Sequence, residues 1–135
     1  MIESLTITTQ NQGLREITGD INAIITRSEI ETGLCTVFVQ HTSASLIVQE
    51  NADPSARRDL ENWLNRLVAE NDPLYTHTLE GPDDMPSHIK AALTATSVAI
   101  PVTGRRLALG TWQGLYLWEH RRHGSPRHLV VHLTA

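Results

Sequence analysis

Polar and apolar residues alternate along much of the chain, which predicts a protein built mainly from β-strands. Residues 3–9 alternate and are rich in β-branched side chains, and 16–18 can pair with them after a turn at 11–13. The same pattern predicts further strands at 34–40, 45–49, 97–102, 105–109, 112–119 and 127–133. Short turns link most of these strands, so antiparallel pairing is expected.

Three segments have the periodicity of helices. Residues 20–30 place isoleucines at helical spacing, with Gly33 as a stop. Residues 54–69 give the clearest pattern, an apolar stripe of Ala56, Leu60, Trp63, Leu64, Leu67 and Val68 behind an Asp53 cap and Pro54. A short helix is predicted at 86–94.

These elements predict an α+β fold in a single domain of residues 1–135. Its core would be an antiparallel or sandwich-like sheet, with two or three helices packed on it. A chain of 135 residues is long enough for one such core.

Charge and composition narrow the class of partner. The formal net charge of −4 argues against nucleic acid, which requires a basic surface. The single cysteine, Cys35, lies in an apolar run and is expected to be a buried, inert thiol rather than a reactive one. No apolar stretch approaches the length of a membrane span, and the N-terminus lacks a signal pattern. We therefore expect a cytoplasmic protein without a membrane partner.

The segment His41-Thr-Ser-Ala-Ser45 is the first of three polar clusters that contain a histidine. It lies between two predicted strands and offers hydroxyl and backbone N–H groups that can bind phosphate. Alternatively, the hydroxyls satisfy backbone groups at a bend in the strand. Glu50 and Asn51 follow shortly afterwards and either face the same place or begin a loop.

The second cluster, Asp83-Asp-Met-Pro-Ser-His88, ends a long polar stretch at 70–84. Long loops are often functional, and His77 within this one fits either a functional or a structural role. One aspartate is expected to cap a helix that opens at Pro86, with His88 in its first turn. The helix dipole there favours the neutral imidazole that binds a metal or accepts a proton. Alternatively, the carboxylates only cap the helix and His88 is solvated.

The third cluster closes the segment Leu109–Arg122, which ends in adjacent acidic, imidazole and guanidinium groups. Strand alternation puts Trp112 and His120 on one face, and Gln113 and Glu119 on the other. Alternatively, the tryptophans of this segment only pack and the charged residues form an ordinary strand end.

Histidine is the residue that the three clusters share. None of the short metal-binding or phosphate-binding motifs occurs in the chain. Three histidines from separate elements can nevertheless bind Zn²⁺ and leave a fourth position open, as in catalytic zinc sites.

Several segments match one known family in order and spacing. They are His41-Thr-Ser-Ala-Ser-Leu46, Glu50-Asn51, Asp53-Pro54, Asp83-Asp-Met-Pro-Ser-His88, Gly110-Thr-Trp-Gln-Gly114 and Glu119-His-Arg121. With these segments the chain resembles the YjbQ family, small proteins described as secondary thiamine-phosphate synthases. The resemblance covers nearly the whole sequence.

The resemblance implies an α+β domain that assembles as a homotrimer, with a metal-binding pocket near subunit contacts. The expected cofactor is a divalent metal ion, zinc or alternatively magnesium. It implies a thiamine-phosphate synthase activity, in which a thiazole phosphate attacks a pyrimidine methyl diphosphate and pyrophosphate leaves. The partners would be small phosphate and diphosphate substrates. Because that activity is secondary in the family, the physiological reaction stays open.

The resemblance also implies roles for residues of this chain. The expected metal ligands are His41, His88 and His120. The expected catalytic residues are Asp84, Glu119 and Glu50. Of these, Asp84 or Glu119 orients a ligating imidazole or acts as the base. The expected substrate-binding residues are Ser43, Ser45, Asn51, Trp112 and Gln113. Arg121 is added to them as a nearby basic residue that can bind the diphosphate.

Two other functions fit the same residues. One is a trimeric module that binds a metal or a small ligand and has a different reaction or none. The other is a structural or partner-binding trimer with Trp112 and Trp118 at the subunit seam.

Overall fold

The computed structural model describes residues 1–135, which form eight β-strands and three α-helices. In chain order they are β1 (Ile2–Thr8), β2 (Asn11–Glu16), α1 (Thr18–Ser28), β3 (Thr32–Val39), β4 (Ala44–Glu50), α2 (Pro54–Leu67), α3 (Asp84–Leu93), β5 (Ser97–Thr103), β6 (Arg106–Leu107), β7 (Gln113–His123) and β8 (Pro126–Thr134). None of the helices has the length and apolar character needed to cross a membrane.

Two antiparallel sheets form the framework. One has the strand order β1-β8-β3-β5-β6 and the other the order β2-β7-β4. Helix α1 contacts β6 and β7, α2 contacts β2, and α3 contacts β4 and β7. Helices packed on antiparallel sheets confirm the predicted α+β class.

The main core lies between the two sheets and α1. Along β3, Cys35, Val37 and Val39 point into this core, whereas Leu34 and Phe38 point outwards and are 42% and 45% exposed. Burial raises the pKa of the Cys35 thiol to about 11. The thiol is therefore protonated at neutral pH and unreactive, as predicted.

A second, smaller core lies beneath α2. Leu64 and Val68 of the helix segment pack against Leu14 of β2 and against Tyr116 and Trp118 of β7. Strand β7 thus separates the two cores, because its alternate residues point into opposite ones.

Helix α2 begins as predicted, but its apolar stripe is narrower. The Asp53 carboxylate accepts a hydrogen bond from Ser55 N at 2.9 Å, and Pro54 follows the cap. Trp63 and Leu67, both placed in the stripe by the sequence, are 50% and 56% exposed. The helix contacts the sheet along one narrow seam, so the flanking positions of the stripe stay in solvent.

Several predicted boundaries are wrong. Residues 11–13 belong to β2 rather than to a turn, and β1 instead ends at Thr8. Helix α1 ends before Glu29, whose φ of 63° gives a left-handed cap. Gly33, expected to stop that helix, lies in β3, where a Cβ atom would collide with the carbonyl oxygen of Thr134.

Candidate metal site

Two imidazoles and a carboxylate meet where the 70–84 loop joins α3. Asp84 and His88 lie one turn apart on the same face of α3. His77, in the loop that precedes the helix, contacts Asp84. Asp84 Oδ2 lies 2.8 Å from His77 Nε2 and 3.0 Å from His88 Nε2. One potential ligand atom from each residue lies within 4.8 Å of the others, so one ion can contact all three.

The hydrogen bonds of His88 determine what its Nε2 atom can do. Nδ1 lies 2.9 Å from the carbonyl oxygen of Thr42, which can only accept, so Nδ1 carries a proton. In the neutral ring the lone pair is then on Nε2, facing the carboxylate of Asp84. Two acceptors on either side of one ring require a doubly protonated imidazolium or a cation at Nε2. Metal-ligating histidines have this arrangement, with the second ring nitrogen bonded to a carbonyl.

Arg121 fixes Asp84 from its other oxygen. The guanidinium donates from Nη1 to Asp84 Oδ1 at 2.8 Å, from Nε to Asp83 Oδ2 at 3.0 Å and from Nη2 to Glu80 O at 2.9 Å. Because each of its guanidinium nitrogens is hydrogen-bonded to the protein, Arg121 orients these carboxylates. It does not have the free pair of N–H donors that the predicted binding of a diphosphate requires.

The carboxyl group of Asp84 is almost fully buried. Burial alone raises its pKa, but the hydrogen bond from His77 and the charges of His88 and Arg121 outweigh burial and hold the pKa below its usual value. Asp84 is therefore ionised at neutral pH, which is the form that binds a metal.

Each imidazole of the cluster also borders a depression in the surface. His77 lines a cavity of about 360 Å³ together with Tyr75 and Met85. His88 lines a groove of about 340 Å³ together with His41 and Thr42. A ligand in either depression would lie beside the cluster.

His41 reaches the groove but does not join the cluster. Its Nε2 accepts a hydrogen bond from the backbone N–H of His128 at 2.8 Å, and the two rings stack. Burial, together with the charge of Arg127, lowers the pKa of His41, which favours the neutral ring. A neutral ring that accepts at Nε2 carries its proton on Nδ1, so no lone pair is left for a metal.

His120 is separated from the other two predicted ligands. It is 1% exposed, and its Nε2 lies 2.8 Å from Ser45 Oγ in the interior. Burial, with smaller contributions from the charges of Lys90 and Arg127, lowers its pKa to about 3. His120 is thus a neutral interior residue, and the chain does not bring it together with His41 and His88.

Glu119 belongs to a buried ion pair rather than to the cluster. Its carboxylate accepts from Arg127 Nε at 2.7 Å, from Thr9 Oγ1 at 2.5 Å and from Arg121 N at 3.0 Å. Arg127 Nη2 also donates to Ser43 Oγ at 3.0 Å, which places Ser43 in the same network. A carboxylate with this many donors is already satisfied and holds these elements together.

The remaining predicted site residues, Glu50, Asn51, Trp112 and Gln113, lie at the opposite end of β7. There Asn51 Nδ2 donates to Glu16 Oε2 at 3.1 Å, and Gln113 Oε1 accepts from Gly110 N at 2.7 Å. Arg121 lies eight residue steps along the extended strand from Gln113, a distance of roughly 26 Å. Within one chain these residues cannot reach the cluster.

Of the three residues in the cluster, only His88 was predicted as a metal ligand. Asp84 was predicted as a catalytic residue, and His77 fitted either a functional or a structural role. The spacing of Asp84 and His88, four residues apart on a predicted helix, is a signal for a shared ligand. The position of His77 depends on the path of the loop and has no comparable signal.

The fold and the cluster together define the class of protein. It is an α+β protein of two antiparallel sheets, in which two histidines and an aspartate meet at the start of α3. The chain matches the family described as UPF0047 protein YjbQ-like over residues 3–135 and belongs to that family.

Relatives and solved structures agree with this assignment. The chain is 52% identical to UPF0047 protein sll1880 of Synechocystis, covering 98% of this chain and 90% of that protein. It is 42% identical to UPF0047 protein YjbQ of Escherichia coli O157:H7, covering 98% and 96%. An uncharacterized conserved protein of the same family from Clostridium acetobutylicum superposes with a TM-score of 0.89, at 31% identity and 98% and 99% coverage.

Proposed function

We propose that this protein is a metal-dependent transferase of the thiamine-phosphate synthase type, with His77, Asp84 and His88 as its metal ligands. The hydrogen bond from His88 Nδ1 to Thr42 O carries the proposal, because it directs the Nε2 lone pair towards Asp84. The reaction would join a pyrimidine methyl diphosphate to a thiazole phosphate and release pyrophosphate.

The donor set favours zinc over magnesium. Two imidazole nitrogens and one carboxylate oxygen are a common set of three protein ligands at catalytic zinc sites, where a fourth position stays open. Magnesium prefers oxygen ligands in octahedral geometry, which two imidazoles do not supply. A zinc ion held here would stabilise the negative charge that develops on the departing pyrophosphate.

The segment after His41 supplies donors for a phosphate group beside the cluster. The backbone N–H groups of Thr42 and Ser43 make no hydrogen bond within the chain, and Thr42 lines the same groove as His88. Successive free N–H groups form an anion-binding concavity. Phosphate oxygens bound there would lie next to His88, while Ala91 and Ala92 offer an apolar wall for a ring.

A homotrimer would complete the site. Leu34 and Phe38 leave an apolar surface on the outer face of the five-stranded sheet, and Val130 lies beside Phe38 in the same row. His128, which stacks on His41, belongs to this face as well, so a second copy seated here would close the groove. The same assembly could bring in Trp112 or Gln113 from another subunit.

A metal-binding or small-ligand-binding module without this turnover is the second candidate. The observation that favours it is the lack of a free base at the cluster. Glu119 and Asp84 are both already hydrogen-bonded, and Glu50 lies at the opposite end of β7. Such a module would keep the metal affinity and lack the transfer reaction.

Metal analysis and a turnover assay on three variants test the proposal. We expect one zinc per chain in the unaltered protein, and loss of both zinc and thiamine phosphate formation in His77→Ala and His88→Ala. His123→Ala, which changes an exposed histidine at the C-terminal end of β7 that is not part of the cluster, is the matched control and should keep both. Zinc binding without product supports the binding module, and full zinc content in both ligand variants refutes the metal site.

A further inference from the structure

A second polar cleft lies across α3 from the metal cluster, between α2, β2 and β7. Its volume is about 180 Å³, and Lys90 and His120 line it. Lys90 follows His88 by two residues, which turns its side chain about 200° around the helix, away from the cluster face. The cleft is therefore a separate feature of the surface.

Lys90 is the only lysine of the chain and is 4% exposed. Lysines are almost never this buried unless they are paired. The ammonium group has three N–H donors, and its only hydrogen bond runs from Nζ to Asn65 Oδ1 at 2.6 Å. Two N–H donors of the ammonium group are therefore left without a partner at the cleft.

His120 adds a second buried donor. Ser45 Oγ lies 2.8 Å from its Nε2, and that hydroxyl has no other acceptor, so the serine proton is donated to Nε2. The proton of the neutral ring is then on Nδ1. This Nδ1 atom is buried and has no partner in the chain, and His120 lines the cleft. An unpartnered buried donor beside a buried ammonium indicates a ligand that accepts hydrogen bonds.

The charges of the cleft select an anion. Arg58 and Lys90 contribute two positive charges, and Glu61 contributes the one carboxylate. The Oε2 atom of Glu61 accepts a hydrogen bond from Leu14 N at 3.2 Å. The lining therefore has a net positive charge and free donors, and an oxyanion satisfies both.

We propose that this cleft is a binding site for a small oxyanion, a phosphate or a carboxylate group, held by Lys90 and His120. The site goes beyond the proposed transferase function and does not depend on the metal cluster. At about 180 Å³ the cleft is smaller than a typical ligand pocket of roughly 300–1,000 Å³, so it suits a single small anionic group.

The single lysine makes the test direct. Protein labelled with ¹³C at the lysine ε-carbon gives one lysine signal, which reports on this cleft alone. We expect this signal to shift and saturate when inorganic phosphate or acetate is added at constant ionic strength, and to stay unchanged with sodium chloride. Saturation with only one of the two anions identifies the group that the ligand carries. No saturable shift with either, or an equal shift with chloride, overturns the proposal.

Two variants test whether the anion binds in this cleft. By calorimetry, Lys90→Met should weaken binding of the effective anion by at least about tenfold, whereas Arg66→Met, an exposed cation on α2, should leave it unchanged. Unchanged affinity in Lys90→Met overturns the proposal. If that variant does not fold, the lysine signal of the unaltered protein decides.

Repeating the lysine titration in His77→Ala separates the two proposals. This variant removes a proposed metal ligand outside the cleft, so the anion response should survive in it. Loss of the response in His77→Ala would contradict a separate anion site, even where zinc binding behaves as proposed.

Discussion

Acidification should destabilise this protein through His120. The ring is buried, and burial together with the charges of Lys90 and Arg127 lowers its pKa from 6.5 to about 3. In the unfolded chain the pKa returns to about 6.5. Between these two values the unfolded state binds a proton that the folded state does not, so the free energy of unfolding falls as the pH falls. His120 therefore contributes its full stabilisation at a pH above its pKa in the unfolded chain. This stabilisation is lost as the pH falls from that value towards its pKa of about 3 in the folded chain.

The expected loss follows from proton linkage. Each pH unit below the unfolded pKa removes about 1.4 kcal/mol, and the change from pH 7 to pH 5 removes about 2 kcal/mol in total. For a chain of this length that corresponds to a fall in Tm of roughly 6–10 °C. An exposed histidine would contribute far less, because its pKa changes little on folding.

Urea unfolding at pH 7, 6 and 5 measures this loss, with tryptophan fluorescence as the signal and ionic strength held constant. The chain has seven histidines, so a variant must isolate the one at issue. His120→Gln cannot titrate and should lose about 2 kcal/mol less than the unaltered protein over this range. His132→Gln, at an exposed position on β8, should behave like the unaltered protein. Equal pH dependence in the unaltered protein and in His120→Gln would refute the reasoning.

Two further predictions concern stability. Arg127→Met should lower the free energy of unfolding in urea by about 3–5 kcal/mol, because it leaves the charge of Glu119 buried without its partner. The double variant Glu119→Gln, Arg127→Met should recover part of this loss. Normal stability of Arg127→Met would show that the ion pair is dispensable. Gly33→Ala should prevent folding or lower Tm sharply, because its Cβ collides with Thr134 O, whereas Gly19→Ala in α1 has open space and should be tolerated. Equal melting temperatures for the two alanine variants would contradict the collision.

Local patterns predicted the framework of this fold correctly. Alternation located β3 and its inward-facing Cys35, and the Asp53-Pro54 pair located the start of α2. These features depend on neighbours in sequence, through side-chain period and capping. The turn predicted at 11–13 failed because tertiary pairing with β7 keeps those residues extended.

The site was harder to predict because it depends on residues far apart in sequence. Asp84 and His88 are linked by helical spacing, but His77 reaches them only through the path of a long loop. Similarly, the sequence predicts a catalytic role for Glu119, because nothing in the local sequence indicates that Arg127 of the next strand is its partner. Spacing identifies which residues can share a face, whereas partners from other elements are fixed by packing.

Strand β7 connects these observations. Arg121, near its end, orients the metal cluster, while Gln113 begins the strand roughly 26 Å away. The residues that resemble family site positions are therefore divided between two distant ends of one rigid strand. If both groups serve one site, they can meet only across a contact between copies of the chain. A variant at one end should then complement a variant at the other when the two are mixed, because some sites of the mixed assembly would combine two unaltered ends.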